Sequence, residues 1–413
     1  MASKGQKKTW WQPPRLRTDE DEGRERRVSW LELFYDLVFV VVVAELAHVL
    51  ATNVSWFGVF AYGLMFVAAW WLWIGGTYYN DRFETEDVSH RLSTFLQIVP
   101  VAALAAFVHD GLGKLSAQFA LSYAAGRILI LFLWARGGWY NRDFRPVANR
   151  FVFGFAISAA IWIGSVFVPP PWRFAMWAVG LAIDLITPFF TLEHQAKLPA
   201  LSSSHLPERF GLFTIIVLGE AIAGVVRGIA IAPQLTFHIT IAATLGIAVA
   251  FGLWWIYFDF IGRRIAKPGV EWRGRYGYLH LPLLMSVAAG AAGVQSVVAS
   301  ETNGLTTPER WLLSTAVGLS LVSIGLIEHS LPEDAEEPVD QKWSANLKII
   351  LGIVAPLAVG WTSLGTYALL GVLLGIVLIP VFYGTISWFQ SPISQKENEG
   401  SSSHSSVAKA NLE

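Results

Sequence analysis

Two glutamates lie in the middle of long apolar segments, where a carboxylate needs a proton or a cation. Glu45 is part of the segment VVVVAELAHVL, and Glu220 is part of TIIVLGEAIAGVV. An ionised carboxylate at the centre of a bilayer costs at least about 2.5 kcal/mol. Two such groups placed close together repel each other when both are ionised. We therefore predict that Glu45 and Glu220 form a paired site that binds a proton or a cation.

Three further ionisable residues lie within apolar segments. Asp36 lies near the start of the first segment, whereas Arg127 and Asp184 lie near the middle of the fourth and the sixth. Arg127 and Asp184 share a depth and could pair, either as a structural ion pair or as part of the coupling site. Arg227 follows Glu220 by about 10 Å of helix rise and is assigned to the outer interface. His48, His109 and His238 are assigned to that interface as well.

A second group of reactive residues lies at the segment ends on one side of the predicted bilayer. It comprises Glu32, Asp81, Arg82, Asp87, His90, Arg91, His205, Glu208, Arg209, Asp259 and His280. We predict that they form a cytoplasmic vestibule or gate, with interfacial salt bridges that lock the loops as the alternative.

Metal and catalytic motifs give little support to an enzyme. The chain has no cysteine, no HExxH pattern and no glycine-rich phosphate loop. The serines near His205 lack the residues of a nucleophile elbow. We therefore predict no catalytic residue, no metal and no cofactor, and enzyme activity stays uncertain but disfavoured.

Twelve apolar segments must position these residues. The 413 residues are 54% hydrophobic, more than a soluble fold of this size can bury, and each segment approaches the roughly 20 residues that a spanning helix needs. The predicted spans are 31–51, 56–79, 91–109, 116–137, 149–168, 172–192, 208–228, 237–261, 277–299, 309–331, 345–361 and 364–388. The sequence predicts an all-α polytopic membrane protein with about twelve transmembrane helices.

Loop charge gives the orientation. Lys and Arg are abundant in the loops on the side of the N-terminus and scarce on the other, which carries little beyond Lys114, Arg173 and Arg310. The positive-inside rule then predicts that both termini are cytoplasmic. The net charge of −1 gives no sign of nucleic-acid binding. The predicted partners are membrane lipids, an unknown small solute or ion and, as a possibility, a second copy of the chain.

The two halves of the chain resemble each other. LSYAAG (121–126) matches LSTAVG (313–318), and three other short matches follow in the same order at offsets of 182 to 197 residues. Six helices per unit would make the repeats parallel, related by an axis along the membrane normal. We predict six-helix repeats over 29–195 and 196–388, with disordered cytoplasmic tails over 1–28 and 389–413.

Four motifs are similar to those of the low temperature requirement protein A family, a group of bacterial-type polytopic membrane proteins. They are SWLELFYDLVFVVVVAELAH, NDRFETEDVSHRL, HLPERFGLFTIIVLGEAI and WWIYFDF followed by YLHLPLL. The resemblance implies an integral protein of the plasma (inner) membrane, named for a cold-growth phenotype, with no settled molecular activity. Tyr35 stands before Asp36 where the family often has a second phenylalanine.

A more distant similarity is to the lysosomal and bacterial potassium-channel family, whose repeats begin with Phe-Ser-Asp. Gly211 lies near the corresponding position of the seventh span, which has no aspartate there. The favoured function is a proton- or cation-coupled secondary transporter that uses Glu45, Glu220, Asp36, Asp184 and Arg127. The alternatives are a cation channel and a non-transporting sensor, scaffold or enzyme that acts through the cytoplasmic residues.

Overall fold

The computed structural model describes residues 10–17, 28–84, 87–199, 201, 205–232, 234–262, 264–300, 304–333 and 339–390. Within these ranges twelve helices are long and apolar enough to cross a membrane, which confirms the predicted fold class. They are α1 (Trp30–Thr52), α2 (Trp56–Arg82), α3 (Val88–Phe107), α4 (Ser116–Tyr140), α5 (Arg145–Ser165), α6 (Trp172–Ile186), α7 (His205–Ile231), α8 (Phe237–Phe260), α9 (Val270–Ala299), α10 (Thr307–His329), α11 (Gln341–Gly360) and α12 (Thr366–Phe389).

Two helices continue beyond these bounds. A 3₁₀ turn, Val108–Asp110, extends α3, and a 3₁₀ segment, Thr187–Thr191, with a helical turn, Leu192–Gln195, extends α6. Short connections make successive helices run in opposite directions. The start of α1 therefore lies on the same side as the end of α2 and the start of α7. We call this side of the bundle the amino face.

The interior is built around α1, which packs against helices of both halves. It contacts α2 and α3 on one side and α7 and α9 on the other. Along α1, apolar residues such as Phe39, Val42 and Leu46 are buried at a helical spacing. The start of α1 therefore lies where α2 and α7 can contribute side chains to one site.

The same helix pairs pack in both halves of the chain. The pairs α1–α2, α1–α3, α3–α4 and α4–α5 correspond to α7–α8, α7–α9, α9–α10 and α10–α11, all of which are in contact. This correspondence agrees with the predicted repeat, which stays a prediction because pair identities alone do not establish a symmetry axis.

One part of the predicted N-terminal tail is ordered. The strand β1 (Arg15–Leu16) pairs antiparallel with β2 (Phe83–Glu84) at the end of α2. The prediction of disorder is therefore wrong for residues 10–17, because backbone pairing and side-chain contacts hold them. The predicted C-terminal tail begins at residue 389, which is still in α12, and residues 1–9, 18–27 and 391–413 of the predicted tails lie outside the described residues.

Asp87 fastens this segment to the amino face. Its carboxylate accepts the backbone N–H of Gln12 at 2.7 Å, the hydroxyl of Ser89 at 2.7 Å and the backbone N–H of His90 at 2.9 Å, the last as the N-cap of α3. Desolvation tends to raise the pKa of Asp87. These hydrogen bonds and the charge of Arg136 outweigh that effect and bring the pKa below its usual value.

Candidate functional site

The start of α1 supplies two acidic residues to the interior. Ser29 caps the helix, and the Glu32 carboxylate accepts the Ser29 backbone N–H at 2.9 Å in a capping box. Asp36 follows Glu32 by four residues and therefore lies on the same helix face. Both side chains are buried. The capping box thus fixes one carboxylate at the helix end and places the second a turn deeper.

Asp36 binds groups from two other helices. Its Oδ1 accepts the indole N–H of Trp73 in α2 at 2.7 Å and a guanidinium N–H of Arg209 in α7. Arg209 Nη1 lies 4.0 Å from Glu32 Oε1, so the same guanidinium lies close to both carboxylates. Arg209 and Asp36 are fully buried. This is a buried ion pair between the first helix of each half.

His205, one turn before Arg209, contacts a carboxylate through each ring nitrogen. Nδ1 lies 2.9 Å from Asp81 Oδ1, and Nε2 lies 3.1 Å from Glu32 Oε1. His205 and Asp81 are fully buried, and Glu32 is 2% exposed. The six residues Glu32, Asp36, Trp73, Asp81, His205 and Arg209 form what we call the α1–α2–α7 network.

Polar atoms of this network lack complete hydrogen bonding within the described part of the chain. Asp36 Oδ2, Arg209 Nε and Arg209 Nη1 are buried without a hydrogen-bond partner. An unsatisfied buried polar atom costs about 1–3 kcal/mol. Together with the histidine that contacts two carboxylates, these groups make the network a candidate site for exchange of protons.

The network gathers four of the eleven residues predicted for the cytoplasmic group: Glu32, Asp81, His205 and Arg209. The other seven are not among the six residues of this network, and a single vestibule that unites all eleven stays a prediction. These seven are Arg82, Asp87, His90, Arg91, Glu208, Asp259 and His280.

Most of these seven have local structural contacts. Arg82 donates to the Pro199 carbonyl at 2.5 Å, and exposed Glu208 accepts the Val28 N–H at 3.3 Å. Exposed Asp259 accepts the indole N–H of Trp255, four residues earlier. His280 is buried between the Tyr257 hydroxyl and the Tyr276 carbonyl. Arg91 lies on the exposed side of α3.

Within the described residues, Glu45 and Glu220 contact basic side chains and not each other, and their pairing at one site stays a prediction. Glu45 Oε2 lies 2.9 Å from His109 Nε2, and Glu220 binds Arg227 on its own helix. The charge of Glu45 also acts on Arg227, so the basic partners of the two carboxylates are not independent of each other. Arg227 and His109, both assigned to the outer interface, are 33% and 55% exposed and each contact one of these acids.

Helix geometry explains the contact between Glu220 and Arg227. Seven residues are two turns, so both residues lie on one face, and side chains on a helix lean towards its N-terminus. The long Arg227 side chain thus bridges the helix rise. Arg227 Nε also donates to Gln295 at 3.2 Å, and Gln295 contacts His48 at 3.1 Å.

The predicted contact between Arg127 and Asp184 is confirmed. Arg127 Nη2 donates to Asp184 Oδ1 at 2.6 Å, and both side chains are fully buried. Asp184 Oδ2 accepts the hydroxyls of Tyr123 at 2.6 Å and Ser158 at 2.8 Å. The Arg127 guanidinium lies over the ring of Phe155. The carboxylate is fully hydrogen-bonded, which favours a structural role for this pair.

One buried ion pair was missed. Lys348 Nζ in α11 lies 2.9 Å from Glu328 in α10, also contacts Ser344 at 2.5 Å, and faces the ring of Phe260. Both charged residues were visible inside predicted spans, so their pairing could have been proposed from depth. Within the described residues, no group of three or more His, Asp or Glu side chains is placed to hold a metal ion.

Comparison with known proteins identifies the family. The family model of the bacterial low temperature requirement A protein (LtrA) matches residues 27–383. The chain is also similar to the uncharacterized protein RA0937 of Rhizobium meliloti (strain 1021), at 27% identity over 297 residues, which are 65% of this chain and 69% of that protein. With most of its length matched, this integral membrane protein belongs to the bacterial low temperature requirement A family.

Proposed function

We propose that this protein is a proton-coupled secondary transporter of the plasma membrane whose amino face is cytoplasmic. The α1–α2–α7 network is its proton-binding site, in place of the pair of Glu45 and Glu220. The observation that carries the proposal is His205, a fully buried histidine with a carboxylate oxygen at each ring nitrogen.

The two contacts of His205 require a proton that a neutral ring does not have. A neutral imidazole has one N–H donor and one acceptor nitrogen, and so can donate to only one of two carboxylates. Both contacts become hydrogen bonds when the ring holds a second proton. Imidazole is a stronger base than a carboxylate, so we assign this proton to the ring.

The proton on His205 changes the net charge of the buried network. Three carboxylates and Arg209 sum to −2, and a proton on His205 changes the sum to −1. A buried charge is costly unless it is paired. Release of the proton therefore weakens the contacts that His205 of α7 makes with Glu32 and Asp81. Proton occupancy therefore biases the packing of α7 against α1 and α2.

Transport follows if the two halves move against each other. Glu32 and Asp36 belong to the first helix of the first half, and His205 and Arg209 belong to the first helix of the second half. A ligand shifts a conformational equilibrium by its difference in affinity for the two states. A proton that is bound only when α1 and α7 are close supplies such a difference.

The test uses purified full-length protein in liposomes that contain a trapped pH-sensitive dye. Amino acids, sugars, organic acids and inorganic cations are applied one at a time at a clamped membrane potential. We expect at least one solute gradient to drive proton movement. The change His205→Gln is expected to reduce this movement to the rate of protein-free liposomes, because glutamine cannot gain a proton.

His194→Gln is the matched control, since His194 lies on the amino face outside the network and contacts Arg150. It is expected to keep the wild-type rate. Asp81→Asn provides a second variant of nearly unchanged shape should His205→Gln fold poorly, and it should also lose coupling. Proton-independent flux in the wild type, or unchanged coupling in both network variants, would contradict the proposal.

A further inference from the structure

A cavity of about 440 Å³ lies between the two halves on the amino-face side of the bundle. Residues of α2, α4, α5 and α9 line it, together with the end of α6. Small-molecule sites have volumes of roughly 300–1,000 Å³. The cavity is therefore large enough for a small organic ligand, and it is separate from the α1–α2–α7 network.

The walls of the cavity are mainly aromatic. Trp71 and Tyr78 of α2, Trp134 of α4, Phe155 of α5 and Tyr278 of α9 all contribute to them. Gly277 also lines the wall, and a Cβ there would come within 2.3 Å of the Tyr78 hydroxyl. These surfaces fit an apolar body, because rings and aliphatic groups bury well against aromatic side chains.

The amino-face end of the cavity is positively charged. Arg82, Arg273 and Arg275 line it, against one acidic lining residue, Glu271. Within the described part of the chain, none of the three arginines forms an ion pair with a carboxylate. Asp81 acts on Arg82 as an opposite charge, whereas Arg273 and Arg17 act on it as like charges. Three guanidinium groups in such a place are suited to an acidic group of a ligand.

The deep end offers hydrogen-bond donors without net charge. Arg127 lines the cavity there, fully buried, and its charge is matched by Asp184. Its Nε and Nη1 have no hydrogen-bond partner. Gly75 lies beside Nη1, since a Cβ at this position would be 3.5 Å from that nitrogen. The helix rise from Gly75 to Arg82 is about 11 Å.

We infer that this cavity binds an amphipathic organic anion. The acidic group of the ligand lies among Arg82, Arg273 and Arg275, and its apolar body lies between the aromatic walls. The far end of the ligand reaches the free N–H groups of Arg127. Binding requires no proton gradient, so this site stands whether or not the protein couples transport to protons.

The inference is tested with tritiated decanoate and the purified full-length protein in detergent, by scintillation proximity. We expect saturable binding that unlabelled decanoate and octyl phosphate displace and that the neutral analogue decanol does not. Arg273→Gln is expected to weaken the affinity about tenfold or more, because it removes a charge-assisted hydrogen bond to the acidic group of the ligand. Arg150→Gln, an exposed arginine of the same face, should leave the affinity unchanged.

A pair of glycine variants tests whether the cavity itself is the site. Gly274 lines the cavity, and a Cβ there meets no atom within 4 Å, so Gly274→Phe adds a ring in open space. Gly371 in α12 is exposed, has equally open surroundings and lies outside the cavity. Gly274→Phe should abolish decanoate binding, and Gly371→Phe should preserve it.

Two further results decide the chemistry of the ligand. Displacement by vesicles of phosphatidic acid would identify a membrane lipid as the source of the anion, and displacement by free acids alone would identify a soluble source. Either result supports the inference. Equal displacement by decanol, or unchanged binding in both Arg273→Gln and Gly274→Phe, would overturn it.

Discussion

Replacing Asp184 by asparagine is expected to destabilise the protein by about 3–5 kcal/mol, the range found when one partner of a buried ion pair is removed. The change leaves the Arg127 guanidinium charged and fully buried without its carboxylate. It also weakens the hydrogen bonds from Tyr123 and Ser158, which both end on Asp184 Oδ2. Helices α4, α5 and α6 thus lose their common polar contact.

The free energy of unfolding in mixed micelles, measured by denaturant titration, checks this value. The double variant Arg127→Met with Asp184→Leu removes both charges and should recover most of the loss, since apolar residues often replace a buried pair at little cost. Lys342→Gln breaks a pair that is 70% and 58% exposed and should cause no measurable change. Asp184→Asn with wild-type stability would show that Arg127 does not need this carboxylate.

Replacing Arg209 by methionine is expected to have an effect of similar size, again about 3–5 kcal/mol. Arg209 is the permanent cation of the α1–α2–α7 network, and its loss leaves Asp36 buried without a cationic partner and Glu32 with His205 alone. The start of α7 should separate from α1, with increased hydrogen exchange at both helix ends. Unfolding titration and hydrogen exchange measure the two consequences separately.

A compensated variant separates folding from function at this position. Arg209→Met combined with Asp36→Leu removes the ion pair as a unit and should regain much of the stability. It should still transport with altered proton coupling, because His205 is left with a different charge around it. A compensated variant with wild-type coupling would assign Asp36 and Arg209 a purely structural role.

The fold was predictable from the length of the apolar segments. All twelve spans follow from it, and the predicted division between residues 361 and 364 is confirmed, since α11 ends at Gly360 and α12 begins at Thr366. The contact between Arg127 and Asp184 could be predicted because both residues lie at the same depth in the membrane. The order of residues 10–17 was not predictable in this way, because it depends on pairing with Phe83–Glu84 and on the Asp87 carboxylate.

Side-chain reach limited the prediction of the site. Helix rise placed Arg227 too far from Glu220, yet a long side chain that leans towards the helix N-terminus closes the gap. The residues at the start of α1 and α7 were grouped correctly by side. Which of these residues join the buried network depends on the rotation of each helix, which mean hydropathy does not reveal.

Trp73 shows a different limit. This tryptophan lies in an apolar segment with no mark of its role, yet it is fully buried, donates to Asp36 and stacks on Phe213. The cavity was equally hidden, because residues from five helices and a loop define it. Sequence motifs can therefore indicate which helices contribute residues to these sites. The sites themselves lie between helices, so they become visible only when the packing of the helices is known.

The protonation state of His205 tests the central claim most directly. Nitrogen NMR of protein labelled with ¹⁵N-histidine distinguishes a ring with two protons from a neutral ring, and the His205→Gln variant assigns the signal by difference. The account predicts a doubly protonated His205 at neutral pH, hydrogen-bonded to Glu32 and Asp81, which loses a proton when the coupled solute is transported. A neutral ring that does not change would contradict it.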